Sequence, residues 1–160
     1  MITDIAALLH ALAREDVGFI LVGGAAAVAH GSARLTQDVD IVYAREPENV
    51  RRLVAALASA RPYPRGAPPG LPFVWDERTI ANGLNFTLQT DLGAIDLFGE
   101  IVGGGGHEQL LPYSFEIEVF GVRCRILDIE KLIEVKRAAG RPKDYEAIAE
   151  LEAILERTRR

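Results

Sequence analysis

FILVGGAAAVAHGSARLTQDVDIVY, residues 19 to 43, decides how the rest of the chain is read. Phe19 to Val22 is a short apolar run closed by Gly23 and Gly24, as expected of a buried strand that meets a tight turn. Ala25 to Ala29 is helix-prone, and Gly31 is placed to stop that helix. A second strand then opens with Asp38-Val39-Asp40. Side chains alternate along a strand, so Asp38 and Asp40 share one face while Val39 and Ile41 point to the other.

Two carboxylates side by side on a strand are costly. At about 4 Å they repel by roughly 4 kcal/mol at an effective dielectric near 20. A divalent cation turns that repulsion into attraction, and hard oxygen ligands suit Mg²⁺ or Mn²⁺. The Gly23-Gly24 turn ahead of a helix offers backbone N–H groups to a phosphate. Arg34 lies between the turn and the second strand, where its charge can meet phosphate, and Ser32 and Thr36 are hydroxyls within reach of the same region. A cation on one side and a phosphate cradle on the other is the arrangement that phosphoryl transfer requires. His30, behind an alanine helix, is expected to pack or cap there and not to bind metal.

Working outward, Ile5, Leu8, Leu9 and Leu12 make an amphipathic helix over residues 3–14, and Val50, Leu53, Val54 and Leu57 make another that starts at Pro47. Arg61 to Pro72 holds five of the eight prolines and reads as an extended surface loop. Phe73 to Trp75, Leu84 to Leu88 and Ala94 to Gly99 read as strands, with Asp96 the one charge in the last. Gly103 to Gly106 is a mobile lip or a connector. Phe115 to Ile126 forms a hairpin about Phe120-Gly121, which pairs Glu118 with Arg123, Glu116 with Arg125, and Ile117 with a buried Cys124. Asp128 caps a helix that Gly140 ends, and Pro142 starts a last helix with Tyr145, Ile148 and Leu155 turned inward. Between the two lies a basic turn that runs from Lys136 through Arg141 and Lys143 to Asp144.

The composition suits one globular domain spanning 1–160, with 49% hydrophobic and 26% charged residues. The single cysteine excludes an internal disulfide and a cysteine-rich metal site, and fits a reducing cytoplasm. A net charge of −5 argues against bulk nucleic-acid binding. No apolar run reaches membrane-span length, and the N-terminus lacks a signal-peptide pattern.

Gly23-Gly24, Asp38-x-Asp40, the isolated Asp96 and the basic turn together resemble the nucleotidyltransferase superfamily of DNA polymerase β. The nearest likeness is to its small bacterial branch of minimal nucleotidyltransferases and AbiEii-like toxin or antitoxin proteins. The resemblance covers roughly Phe19 to Ile148. It implies an α/β (α+β) fold with a small mixed, mainly antiparallel sheet flanked by helices. It assigns catalysis and metal binding to Asp38, Asp40 and Asp96, with Asp96 also receiving the acceptor proton. Nucleotide binding falls to Gly23, Gly24, Arg34 and Thr36, and to Lys136, Arg141, Lys143 and Asp144, which match the branch's lysine and Arg-x-Lys-Asp turn. Many members carry Gly-Ser where this chain has Gly23-Gly24.

The activity so implied is transfer of a nucleoside monophosphate from Mg-NTP to a hydroxyl of a protein or RNA acceptor, within a toxin–antitoxin or defence pair encoded by neighbouring genes. The alternative is a catalytically degenerate domain of the same fold, acting as a nucleotide-binding or antitoxin module.

Overall fold

The apolar run at residues 19–22 forms β1 (Phe19–Val22), a strand buried along its whole length. It passes directly into α2 (Gly23–Ala29), a seven-residue helix that begins at the first glycine of the pair and not after it. Ahead of them stands α1 (Ile5–Arg14), which starts at the first residue of its apolar stripe and two residues inside the expected span, because Asp4 caps it through the Ala7 N–H. After the loop comes β2 (Asp38–Tyr43), whose burial alternates at its start as the Asp-x-Asp pattern requires. The computed structural model describes residues 2–159.

The remaining elements are α3 (Pro47–Leu57), β3 (Tyr63–Pro64), α4 (Glu77–Asn82), β4 (Asn85–Thr90), β5 (Gly93–Phe98), β6 (Glu100–Ile101), β7 (Gly105–Gly106), α5 (His107–Leu110), β8 (Ser114–Val119), β9 (Val122–Leu127), α6 (Ile129–Ala139) and α7 (Pro142–Thr158). Seven strands form one sheet in the order β3-β4-β5-β2-β1-β9-β8, and β6 with β7 makes a separate two-stranded ribbon. Neighbours in the large sheet are antiparallel except for β1–β9 and β2–β5. The result is a mixed α/β domain of the mainly antiparallel kind expected. Val39 and Ile41 on one face of β2 are fully buried with Leu8, Leu9 and Leu12 of α1 and Leu53 and Leu57 of α3. The carboxylates take the other face. No helix among the described residues is long and apolar enough to cross a membrane.

The hairpin forms in the expected register, with Glu116 opposite Arg125, Ile117 opposite Cys124 and Glu118 opposite Arg123. Cys124 is buried. The ion pair that forms is diagonal, from Arg123 to Glu116 at 3.4 Å. Asp128 caps α6 through the Lys131 N–H, and Gly140 ends it in the left-handed conformation at φ 65°.

Four sequence expectations change. Phe73 to Trp75 is not a strand, because its side chains are used elsewhere: Phe73 lies edge-on to Tyr63 and the Trp75 indole N–H donates to the Val54 carbonyl at 2.9 Å. Within the proline-rich loop, Tyr63 and Pro64 instead pair with β4 at the edge of the sheet, where a proline is tolerated. The glycine run is neither a free lip nor a slack connector. It turns the β6–β7 ribbon, and a Cβ on Gly103 would overlap that of Ala138 on α6. Tyr145 faces outward at 58% exposure, leaving Ile148, Leu151 and Ile154 to bury α7.

Asn49 of α3 locks the start of β1 to the end of β2. Its Oδ1 accepts from the Gly18 N–H at 2.6 Å, and its Nδ2 donates to the Gly18 and Ala44 carbonyls at 3.0 and 2.7 Å. Asn49→Ala would strand these groups in a buried site, so chemical denaturation should show a loss of about 2–4 kcal/mol; a loss below about 1 kcal/mol contradicts the lock.

Candidate metal and anion site

Parallel pairing of β2 with β5 sets Asp40 directly beside Asp96 and Asp38 beside Ala94. Residues in register on parallel strands point the same way, so all three carboxylates share one face. Asp38, Asp40 and Asp96 each bring an oxygen to within 4.8 Å of the others, a set that could hold a metal ion. Asp40 Oδ1 is buried without a hydrogen-bond partner. Burial, then the Asp38 and Asp96 charges, push the Asp40 carboxyl up to about 8. Asp38 is raised as well, first by burial and then by Asp96. Oxygen donors with an orphaned buried atom at their centre suit a hard divalent ion.

Arg65, which sequence reading leaves in a surface loop, reaches this cluster. Its Nη2 lies 2.7 Å from Asp96 Oδ1 and donates to the Leu88 carbonyl at 2.7 Å, and its Nη1 is 3.9 Å from Asp38 Oδ2. The side chain gets there because pairing of β3 with β4, continued by the Arg65 N–H on the Thr87 carbonyl, fixes the backbone at the sheet edge. An arginine among prolines carries no local signal of such a partner.

The glycine pair has a structural reason. Gly23 has φ +64°, and a Cβ there would overlap Asp40 Oδ2; a Cβ on Gly24 would come within 2.7 Å of Thr36 Oγ1. The turn therefore makes room for the carboxylate and for the loop that precedes β2. Thr36 donates its hydroxyl to the Asp38 carbonyl at 2.9 Å.

A polar cleft of about 320 Å³ gathers the candidate residues of the sequence: it is lined by Gly23, Gly24 and Thr36, by the three aspartates, and by Arg34, Lys136, Arg141, Lys143 and Asp144. Their availability differs. Arg34 pairs with Glu146 at 2.8 Å, with both side chains well exposed, an ion pair worth under about 1 kcal/mol and open to exchange for an anionic ligand. Ser32 also lines the cleft, and its hydroxyl donates to Glu150 at 2.5 Å. Arg141 grips both oxygens of the buried Asp144, which also accepts from the Arg141 N–H at the start of α7. Burial opposes ionisation of Asp144, but the Arg141 hydrogen bonds outweigh it and hold its carboxyl below the usual range. Asp144 thus orients Arg141 and caps α7. Lys143 is exposed, and half-buried Lys136 has its ammonium pKa lowered mainly by desolvation. The His30 Nε2–H donates to the Leu127 carbonyl, 2.8 Å away, and so the ring packs as expected.

No known protein-family model matches the chain, and no curated protein matches it significantly.

The raised Asp40 carboxyl has a measurable consequence. Its ordinary value is 3.8 and its folded value about 8, so between these limits the folded protein holds a proton that the unfolded chain releases. Stability from this group is therefore lost as pH rises from about 4 to 8, and is level above that. In a chelator, the stability of Asp40→Asn minus that of the parent should climb through this window; difference curves that stay flat contradict the burial and crowding of Asp40.

Proposed function

We propose that this chain is a metal-dependent nucleotidyltransferase that moves a nucleoside monophosphate from an NTP to a hydroxyl of a protein or RNA acceptor. The observation that carries this is the triad of Asp38, Asp40 and Asp96 on one sheet face, with Asp40 Oδ1 unpartnered, in a cleft that Lys136, Arg141 and Lys143 also line. Asp38, Asp40 and Asp96 would hold a divalent ion, and the chemistry it would supply is positive charge for the phosphate oxygens and the leaving group.

The side chains divide the remaining work. Lys136, Arg141 and Lys143 bind the triphosphate from the rim, with Arg141 fixed in direction by Asp144. Arg34 joins them by exchanging Glu146 for phosphate. Asp96 receives the proton of the attacking hydroxyl. A bond forms between the acceptor oxygen and the α-phosphorus, the bond from that phosphorus to the bridging oxygen breaks, and pyrophosphate leaves. The acceptor's class, protein or RNA, is taken from the likeness to small bacterial nucleotidyltransferases.

One observation favours a second reading, a non-catalytic nucleotide-binding or antitoxin module. Arg65, Glu146 and Asp144 already neutralise part of the site from within the chain.

Incubation with α-labelled NTPs, Mg²⁺ and either the neighbouring gene's product or total RNA tests the activity. Label should pass to an acceptor only with divalent metal, and Asp38→Asn or Lys136→Ala should lower the rate by about 100-fold or more. Metal-dependent nucleotide binding without transfer would shift the assignment to the binding module. Nucleotide binding indifferent to both metal and Asp38→Asn would overturn both.

A further inference from the structure

The run Gly103 to Gly106 plays no part in the carboxylate site, yet it turns the ribbon whose Glu100, Ile101 and Val102 line the space beside it. Gly103 and Gly105 take φ values of 77° and 78°, which folds β6 back on β7. With no side chain on Gly103, the ribbon closes against Ala138 of α6. What stays open between ribbon and helix is a second cavity of about 320 Å³, within the range of small-molecule sites. Its floor is Val22 and Phe98, and its walls are Ile101 on the ribbon and Leu132, Val135 and Ala139 on α6. Asn85 and Glu100 lie at its rim.

This cavity is continuous with the polar cleft. Gly23, Asp40, Phe98, Lys136 and Arg141 line both. The molecule thus offers an apolar slot with an aromatic ring in its floor, joined at the carboxylates to a charged cleft. A nucleotide has the same division, a planar ring linked through one sugar to a chain of phosphates. We propose that the slot between the β6–β7 ribbon and α6 seats the nucleobase of the nucleotide whose phosphates occupy the polar cleft, an assignment that rests on the nucleotide-binding reading of that cleft.

Two walls and an aromatic floor favour a flat ring over a branched aliphatic group. The base enters between Ile101 and Val135, its face against apolar carbon, while its polar edges reach Asn85 and Glu100. Lys136 and Arg141 mark the passage from base to phosphate. The ribbon is then a binding element, and the glycines give it the close seat on α6 that sets the slot's width.

Binding in Mg²⁺ of a nonhydrolysable NTP, compared with inorganic tripolyphosphate, isolates the base from the phosphates. Titration calorimetry on the parent should show the NTP bound at least about tenfold more tightly than tripolyphosphate. Ala139→Trp, at an exposed position on the last turn of α6, fills the slot without touching the core; it should bring NTP affinity down to that of tripolyphosphate and leave tripolyphosphate binding unchanged. Ile101→Ala, at a residue that lines the slot and not the polar cleft, should also cut NTP affinity without affecting tripolyphosphate, and an unchanged melting temperature in either variant certifies its fold. An undiminished NTP advantage in folded Ala139→Trp, or equal binding of the two ligands by the parent, overturns the slot while the phosphate site stands. A parent that binds neither ligand removes the nucleotide reading and this one together.

Discussion

Three carboxylates on one face of adjoining central strands cannot all be ionised and bare. The pairing that stabilises the sheet, β2 against β5, is also what brings Asp40 beside Asp96. At such separations each like-charge pair costs several kcal/mol unless it is relieved. The protein has two means of its own. Asp40 holds its proton to about pH 8, and Arg65 reaches over β4 to Asp96 and toward Asp38. One guanidinium leaves Asp40 Oδ1 without a partner. A divalent ion would meet that oxygen and the others at once, which neither a proton nor a planar arginine can do.

The same crowding explains the glycines. Gly23 leaves room for the Asp40 carboxylate, and Gly24 for Thr36, whose hydroxyl holds the carbonyl of Asp38. Strand, glycine pair and Asp-x-Asp are thus one packed unit, so their order along the chain carries more meaning than any one of them. The basic turn is joined to this unit by the α6–α7 junction, where Gly140 ends one helix and Asp144 anchors the next through Arg141. Cations placed there line the same cleft as the carboxylates, so both signs of charge gather around one space.

Local pattern made much of this legible. Alternation put Asp38 and Asp40 on one face, a two-residue turn with a glycine set the β8–β9 register residue by residue, and Asp128 and Gly140 marked the ends of α6. Failures came where distant partners decided. Arg65 depends on a two-residue edge strand flanked by prolines, too short to carry a periodic signal. Phe73 to Trp75 has strand-forming residues but gives its indole to a carbonyl on α3. Tyr145 fits the apolar stripe of α7 by spacing, yet lies in the first turn beyond the packed core. The glycine run looked slack because its constraint, Ala138, lies more than thirty residues away.

The central claim is that the triad holds a divalent cation. Anomalous diffraction from crystals soaked in Mn²⁺ tests it most directly. A peak bounded by Asp38, Asp40 and Asp96 is expected, with Asp40 Oδ1 among the nearest oxygens and about 2.0–2.6 Å away, as hard cations bind oxygen. Crystals saturated with Mn²⁺ that show no peak there, with Arg65 still on Asp96 and Asp40 Oδ1 still alone, would contradict it.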